Sequence, residues 1–316
     1  MSGRLMQLSG VIVDHVYRVE AVPRAGQEAR VLSSYMAAGG GFNAMVAARR
    51  FGMEVIYAGG LGSGPFADIA SQAMRAEGID PLRPPMAGKD QGCCTTLIDA
   101  DGERTFIASE GADGRALDAD LALVKPRLND WLLLSGYALG YLNSRDALHH
   151  WLAAARGLQL VFDPSPLVNA IPEPILAAAR QAALWISANA AEARFMTGGA
   201  DPAQAAEVLA SDRPQRGGAL VRDGARGCHL ALPGQSSLHL PAYPVLAIDT
   251  NGAGDSHIGA FIAALAQGKP PIDAARLANV AAAISTTKEG PSTAPMLETV
   301  LARMAEPKND TQQRRI

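Results

Sequence analysis

Cysteine is scarce: three in 316 residues, with Cys93 and Cys94 adjacent and Cys228 remote. An odd count at this spacing provides neither a disulfide framework nor the paired ligands of a zinc site, and it reads as idle thiols in a reducing compartment. Charge is scarce as well. Charged residues make up 19%, and 28 basic residues face 31 acidic ones for a net charge of -3. That balance raises no field able to hold nucleic acid or an anionic membrane by charge alone, so neither is an expected partner. Long apolar runs are also missing. No stretch of about 18 apolar residues escapes a charge or a glycine cluster, which excludes a bilayer-spanning helix. The apolar start, Leu5 to Val13, runs into Asp14 and His15 without a small-residue cleavage site and reads as a strand rather than a signal peptide. A cytoplasmic protein is the expectation.

What is present in quantity is apolar content, 48% of the chain, in a length that suits one large α/β domain or two small ones. Met6 to Val13 reads as a first strand, followed by an excursion through Pro23 and Gly26, Ala29 to Met36, a glycine cluster and a helix over Ala44 to Phe51. Val55 to Ala58 is β-prone, and Phe66 to Glu77 has helical apolar spacing. Cys93 to Ile98 and Thr105 to Ala108 flank an Asp101-Gly102 turn, the signal of a hairpin standing off the main body.

From Trp131 onward buried strands and amphipathic helices alternate: strand Leu132 to Leu134, helix Ser144 to Ala155, strand Leu158 to Phe162, helix Ile175 to Ala183, strand Leu184 to Ser187. Helices over Ala191 to Met196 and Pro202 to Leu209, and a strand over Ala219 to Val221, continue the rhythm. This predicts a doubly wound, mainly parallel α/β sheet with helices on both faces. Gly227 to Leu240 reads as a β-excursion, then come helices near Ser256 to Gln267, Ile272 to Thr286 and Met296 to Met304, and a frayed tail over Glu306 to Ile316. Ligands of such sheets bind beyond the carboxyl ends of the strands, which singles out Asp14, Asp163, Asn189, Gly224 and the segment after Ile248.

That last segment is Asp249-Thr-Asn-Gly-Ala-Gly-Asp255, between a β-prone Val245 to Ile248 and an apolar helix. The unpaired N–H groups and partial positive charge of a helix start, with glycines at 252 and 254, suit an anion. No Lys-Ser/Thr follows, so this is not a Walker-type loop. Asp255 fits the role of a general base for phosphoryl transfer to an alcohol; it would equally cap the helix. The second cluster, Gly39-Gly-Gly-Phe-Asn43-Ala44, loosely matches a dinucleotide fingerprint but lacks the acidic residue about 20 positions on that ribose recognition needs. Asn43 with glycine amides would suit several hydroxyls, and Asp14 reads either as another hydroxyl acceptor or as a strand-end turn residue.

Together the two segments resemble the signatures of the ribokinase-like (PfkB) carbohydrate kinase family, and the resemblance continues through Asn189-Ala-Ala-Glu192, Gly224-Ala-Arg-Gly227, Ala278-Asn279 and Lys288-Glu-Gly290. It implies one kinase domain over 1–316 with a small β-sheet lid made by segments near 11–19, 29–36 and 93–109; an apolar edge on the Asp101-Gly102 hairpin would need covering by a second copy, so a homodimer through the lid is expected. It also implies roles. Asp255 would be the catalytic base, and Gly252, Ala253 and Gly254 the anion hole. Asp14, Gly40, Gly41 and Asn43 would hold the sugar, while Asn189 and Glu192 would organise Mg²⁺ directly or through water. Gly224, Gly227 and Asn279 would lie along ATP, and Asp249 would belong to a potassium site.

Three departures from the family pattern stand out. Gly64 and Ala67 occupy positions where an Asp and a Gly are common, His257 replaces a common aromatic and reads as helix packing, and Arg222-Asp223 puts charge near the expected triphosphate path. The loop Met36 to Met45 has no Lys or Arg, which favours a neutral sugar over a sugar phosphate; Arg104, on the hairpin, is the basic residue able to reach a carboxylate or phosphate. The expected activity is transfer of the ATP γ-phosphoryl group to a hydroxyl, by preference primary, of a small carbohydrate. A nucleoside kinase on the same fold, a non-catalytic sugar sensor and a nicotinamide dehydrogenase are the alternatives.

Overall fold

Apolar runs bounded by glycine, proline or polar residues pair as strands here, and the amphipathic stretches between them cover the sheet. The structure, a computed structural model, describes residues 3–154 and 157–306. In chain order the first half contains β1 (Leu5–Gln7), β2 (Val11–Val19), β3 (Val31–Gly40), α1 (Gly41–Arg50), β4 (Val55–Tyr57), α2 (Pro65–Ala76), β5 (Asp80–Pro81), β6 (Cys93–Ile98), β7 (Arg104–Ser109), α3 (Asp118–Leu121), β8 (Trp131–Ser135), α4 (Gly136–Gly140) and α5 (Arg145–Ala154). The second half contains β9 (Gln159–Asp163), α6 (Glu173–Ala182), β10 (Trp185–Asn189), α7 (Ala190–Met196), α8 (Pro202–Ser211), β11 (Gly218–Arg222), β12 (Cys228–Ala231), β13 (Leu238–Leu240), α9 (Ala253–Ala266), α10 (Pro271–Ser285) and α11 (Leu297–Ala305).

Among the described residues, nine strands form one sheet in the order β13-β12-β11-β10-β9-β8-β1-β4-β5, parallel from β11 through β5 and antiparallel at the β11–β12–β13 end. Side chains alternate across it. Leu133, Val161, Trp185 and Leu220 pack beneath α1, α9 and α10, while Leu132, Leu134, Phe162 and Val221 face the layer of α5, α6 and α8. Both faces are therefore covered, as the continuous apolar strands predict. A second sheet, β3-β2-β6-β7, is parallel between β2 and β6 and antiparallel elsewhere. It is the lid.

The structure corrects two predicted strands. The run from Met6 to Val13 is divided: β1 lies in the large sheet and β2 in the lid, with Gly10 packed against Asp113 at the break, where a Cβ would come 2.7 Å from the Asp113 Cβ. Both segments are apolar because both are buried, so their character does not announce the change of sheet. Val245 to Ile248 is not a strand. The N–H groups of Ile248 and Asp249 both donate to the Thr286 carbonyl (2.7 and 3.0 Å), and Leu246 and Ile248 are exposed. The last residue of the helix expected over Ser144 to Ala155, and the tail after Glu306, lie outside the described residues.

Parallel pairing places strand ends side by side. Asn189 is opposite Arg222, and Ser135 opposite Asp163, so these polar residues gather at the carboxyl edge of the sheet. Over that edge α1 crosses α9 closely: a Cβ on Gly259 would sit 2.2 Å from the Ala44 carbonyl oxygen and 2.8 Å from the Ala47 Cβ. Gly259→Ala gains about 1 kcal/mol of helix propensity, but the clash is with backbone and α1 must move, an overpacking cost of about 1–3 kcal/mol. A lowered melting temperature by scanning calorimetry is the expected outcome.

Candidate active site

The N-terminus of α9 faces the start of α1. Gly252 adopts the left-handed conformation (φ 70°), and its missing side chain leaves room for Asn43, whose Nδ2 would lie 3.0 Å from a Cβ there. Turn formation uses the Ala253 N–H, which donates to the Thr250 carbonyl at 3.2 Å. Among the described residues the N–H groups of Gly252, Gly254 and Asp255 have no partner. Of the three residues expected to form an anion hole, Gly252, Ala253 and Gly254, Ala253 has its N–H in the turn, while Gly252 and Gly254, like Asp255, have theirs unpaired.

Asp255 stands in the first turn of α9, and Asn43 Nδ2 donates to its Oδ2 at 3.1 Å. Burial, then the charge of Asp163, pushes the Asp255 carboxyl up to about 7, against the Asn43 hydrogen bond and the charge of Arg222. Asn43 is itself fixed. Its Oδ1 accepts from the Ser292 N–H (2.9 Å) and Oγ (2.8 Å), and Ser292 holds a positive φ of 58° to reach it. One Asn43 N–H thus goes to Asp255, and the second N–H of Nδ2 has no partner among the described residues. Ser292 carries no sequence signal that would have found it.

Asp14 projects from the middle of β2, not from a strand end. It is 8% exposed, and Asn251 Nδ2 approaches its Oδ2 at 3.5 Å. Burial pushes Asp14 up to about 6, with the Asn251 hydrogen bond opposing. Gly40 and Gly41 join β3 to α1, and what demands glycine there is packing: a Cβ on Gly41 would meet Gln7 Nε2 at 2.5 Å and the Gly10 carbonyl at 2.9 Å, and Gly40 has φ 61°.

On the nucleotide side the expectations divide. Asn189 caps α7 through a reciprocal box with Glu192: the Glu192 N–H donates to Asn189 Oδ1 (2.9 Å), and the Asn189 N–H and Nδ2 donate to the two Glu192 oxygens (2.7 Å each). Burial and the neighbouring Asp163 push Glu192 up to about 7. Gly224 (φ 56°) opens into free space, which leaves room for a ligand, whereas Gly227 is packed, with a Cβ position 2.1 Å from the Leu240 carbonyl. Asn279 is a correction. Its Nδ2 donates to the carbonyls of Leu240 (3.0 Å) and Pro241 (3.1 Å) and its Oδ1 meets His257 Nε2 at 3.0 Å, so every polar atom is used inside the protein. His257, lowered to about 3 by burial and Arg222, is neutral and joins α9 to α10.

Asp249 is engaged as well. Its Oδ1 accepts from Arg104 (2.7 Å) and the Asn251 N–H (2.9 Å), and its Oδ2 from the Gly290 N–H (3.0 Å). Burial would raise this carboxyl, but those donors hold it below the usual range. A potassium site does not fit while the Arg104 guanidinium lies on that carboxylate. For magnesium, Asp163 and Glu192 are hard oxygen donors beside the anion site; with both Glu192 oxygens already accepting, they fit an ion held through water. Among the described residues no group of three or more His, Cys, Asp or Glu is placed to hold a metal directly. A pocket of about 570 Å³ opens elsewhere, along α5 and α6, and has no carboxylate in its lining.

Comparison with known proteins agrees with this geometry. The profile of the pfkB family carbohydrate kinases matches residues 8–299. The chain is 29% identical over 300 residues to the uncharacterized sugar kinase YegV of Escherichia coli (strain K12), covering 94% of this chain and 92% of that protein. It is 30% identical over 269 residues to a fructokinase of Klebsiella pneumoniae, covering 80% and 86%. The crystal structure of adenosine kinase from Sinorhizobium meliloti superposes with a TM-score of 0.81 over 96% of this chain and all of that one (100%), at 21% identity, which marks a shared fold.

The raised Asp255 has a consequence for stability. Its folded pKa, about 7, exceeds the unfolded value of 3.8, so the native state binds the extra proton between those limits and ionising the group inside the fold lowers stability as pH rises through them. Asp255→Asn removes that penalty. The difference in melting temperature, variant minus wild type, should grow in favour of the variant from pH 4 to pH 8, as followed by circular dichroism.

Proposed function

Because the chain belongs to the pfkB family of carbohydrate kinases, we propose that it transfers the γ-phosphoryl group of ATP to a hydroxyl, by preference primary, of a small neutral carbohydrate. The observation carrying this reading is the Asp255 carboxylate, oriented by Asn43 and set among three free backbone N–H groups at a helix start. Asp255 takes the proton of the attacking hydroxyl as the new P–O bond forms and the bond from the γ-phosphorus to the β,γ-bridging oxygen breaks, with ADP leaving. The N–H groups of Gly252, Gly254 and Asp255 stabilise charge on the transferring oxygens. Asp14 and Asn251 hold other hydroxyls of the acceptor. ATP would lie along Gly224 and α7, where Asp163 and Glu192 would hold a magnesium ion through water and the ion would offset the charge of the phosphates.

A neutral acceptor is favoured because Asp14 and Asp255 make the acceptor side acidic and the lid guanidinium, Arg104, is engaged by Asp249. The lid supports sequestration of the reaction from water. Arg18 of β2 pairs with Glu289 (2.6 Å) and Arg104 of β7 with Asp249 (2.7 Å), so two ion pairs join it to the loops flanking the anion site.

The test is ADP release with Mg-ATP against pentoses, hexoses, sugar acids, sugar phosphates and nucleosides. One class of neutral sugar should drive turnover, with little ATP hydrolysis in its absence, and kcat/KM should rise with pH through an apparent pKa near 7. Asp255→Asn should lose about 10²–10⁴-fold in kcat while still binding ATP. Turnover that survives this substitution, or a rate that falls with pH across that range, removes Asp255 as the base. Response to nucleosides alone reassigns the acceptor, and sugar-induced thermal shifts without turnover indicate a sensor.

The lid edge supports a homodimer. β7 is exposed along its whole length, including Phe106 and Ile107, and the opposite edge, β3, exposes Val31, Leu32 and Met36. Open apolar edges invite pairing. Light scattering should give a dimer mass, converted to monomer by Phe106→Asp; a monomeric wild type at working concentration overturns this.

A further inference from the structure

Arg222, the last residue of β11, departs from the resemblance and is absent from the mechanism above. Its side chain is 13% exposed, and its guanidinium lies beside the start of α9: a Cβ on Gly254 would come 3.6–3.7 Å from its atoms. Nη1 donates to Ser187 Oγ at 3.1 Å and reaches the Gly254 carbonyl at 3.5 Å. Nη2 stands 3.7 Å from Asp163 Oδ1 and 3.7 Å from Glu192 Oε2, beyond hydrogen-bond reach of both. A guanidinium has five N–H donors. Among the described residues only Nη1 is within hydrogen-bond distance of a protein acceptor. The two carboxylates hold the cation in place by charge without consuming its donors, and the unspent N–H groups lie next to the free N–H groups of α9.

The geometry points to Arg222 as a catalytic residue that donates to the phosphoryl oxygens at the anion site, stabilising the charge they carry as the group moves from nucleotide to acceptor. This rests on the kinase reading. An incoming phosphate supplies the acceptors that Nη2 and Nε lack, and the planar fork of arginine matches two phosphate oxygens at once, which a lysine point charge does not. Asp163 and Glu192 then act as positioning residues. Their long ion pairs to Arg222 leave it free to follow the phosphoryl group.

The test uses the full chain and its Arg222→Gln and Arg222→Lys variants, with melting temperatures as the check on folding. Acceptor-dependent ADP release is measured beside calorimetric binding of the non-hydrolysable β,γ-imido analogue of ATP and of adenosine. Arg222→Gln should lower kcat by at least about 100-fold, the scale of one lost transition-state donor, with the acceptor KM within about threefold. It should also lose at least about tenfold of the preference for the analogue over adenosine, since the lost contact is to phosphate. Arg222→Lys should recover part of both and keeps the test readable if the Gln variant is unstable.

Wild-type kcat in Arg222→Gln overturns the assignment and leaves the kinase reading intact. Should the wild-type chain turn over no acceptor, the kinase reading falls by itself. Binding then decides for Arg222: a retained preference for the analogue overturns the phosphate contact, and a lost one supports it.

Discussion

The site depends on one close approach, that of α1 and α9 at Gly259. Where the Ala44 carbonyl comes within 2.2 Å of a would-be Cβ, no side chain fits, and this brings Asn43 near enough to donate to Asp255. Ser292 then fixes the other end of the Asn43 amide through a left-handed backbone. The orientation of the carboxylate is thus the product of helix packing. A carboxylate on the first turn of an unsupported helix would sample several rotamers; here one is selected by a buried amide whose oxygen is held by Ser292.

The second constraint is electrostatic. Parallel strands end together, so Asp163 from β9, Glu192 beyond β10 and Arg222 from β11 meet at one edge, beside Asp255. Burial raises the carboxylates and their mutual charge adds to it, leaving Asp255 and Glu192 both near 7. A single guanidinium opposes this rise. The proposed kinase reading therefore requires the metal ion of the nucleotide to offset this excess of negative charge.

The lid is bound to the same loops. Asp249 receives Arg104 of β7 and also accepts from the Asn251 N–H, three residues before Gly254. The contact therefore reaches from the lid hairpin to the start of the anion site, and it takes the carboxylate that the family resemblance would offer to potassium.

The doubly wound architecture, the lid hairpin at Asp101-Gly102 and the two glycine segments were legible in the sequence, because period, turn chemistry and helix-start geometry are local properties. Asp255 and Asp14 were legible as candidates by the same logic. Non-local facts were not. That Met6 to Val13 divides between two sheets, that Val245 to Ile248 bonds to Thr286 instead of a strand, and that Asn279 is used up by His257 and two carbonyls follow from which surfaces meet. Asp163 was legible as a strand-end candidate, but Ser292 and the free donors of Arg222 gain meaning only from neighbours far away in the chain. The sequence alone determined the elements and the chemical types available to the site; tertiary packing decided which donors were spent and which remained free, because hydrogen bonds and buried charge are settled by proximity in space.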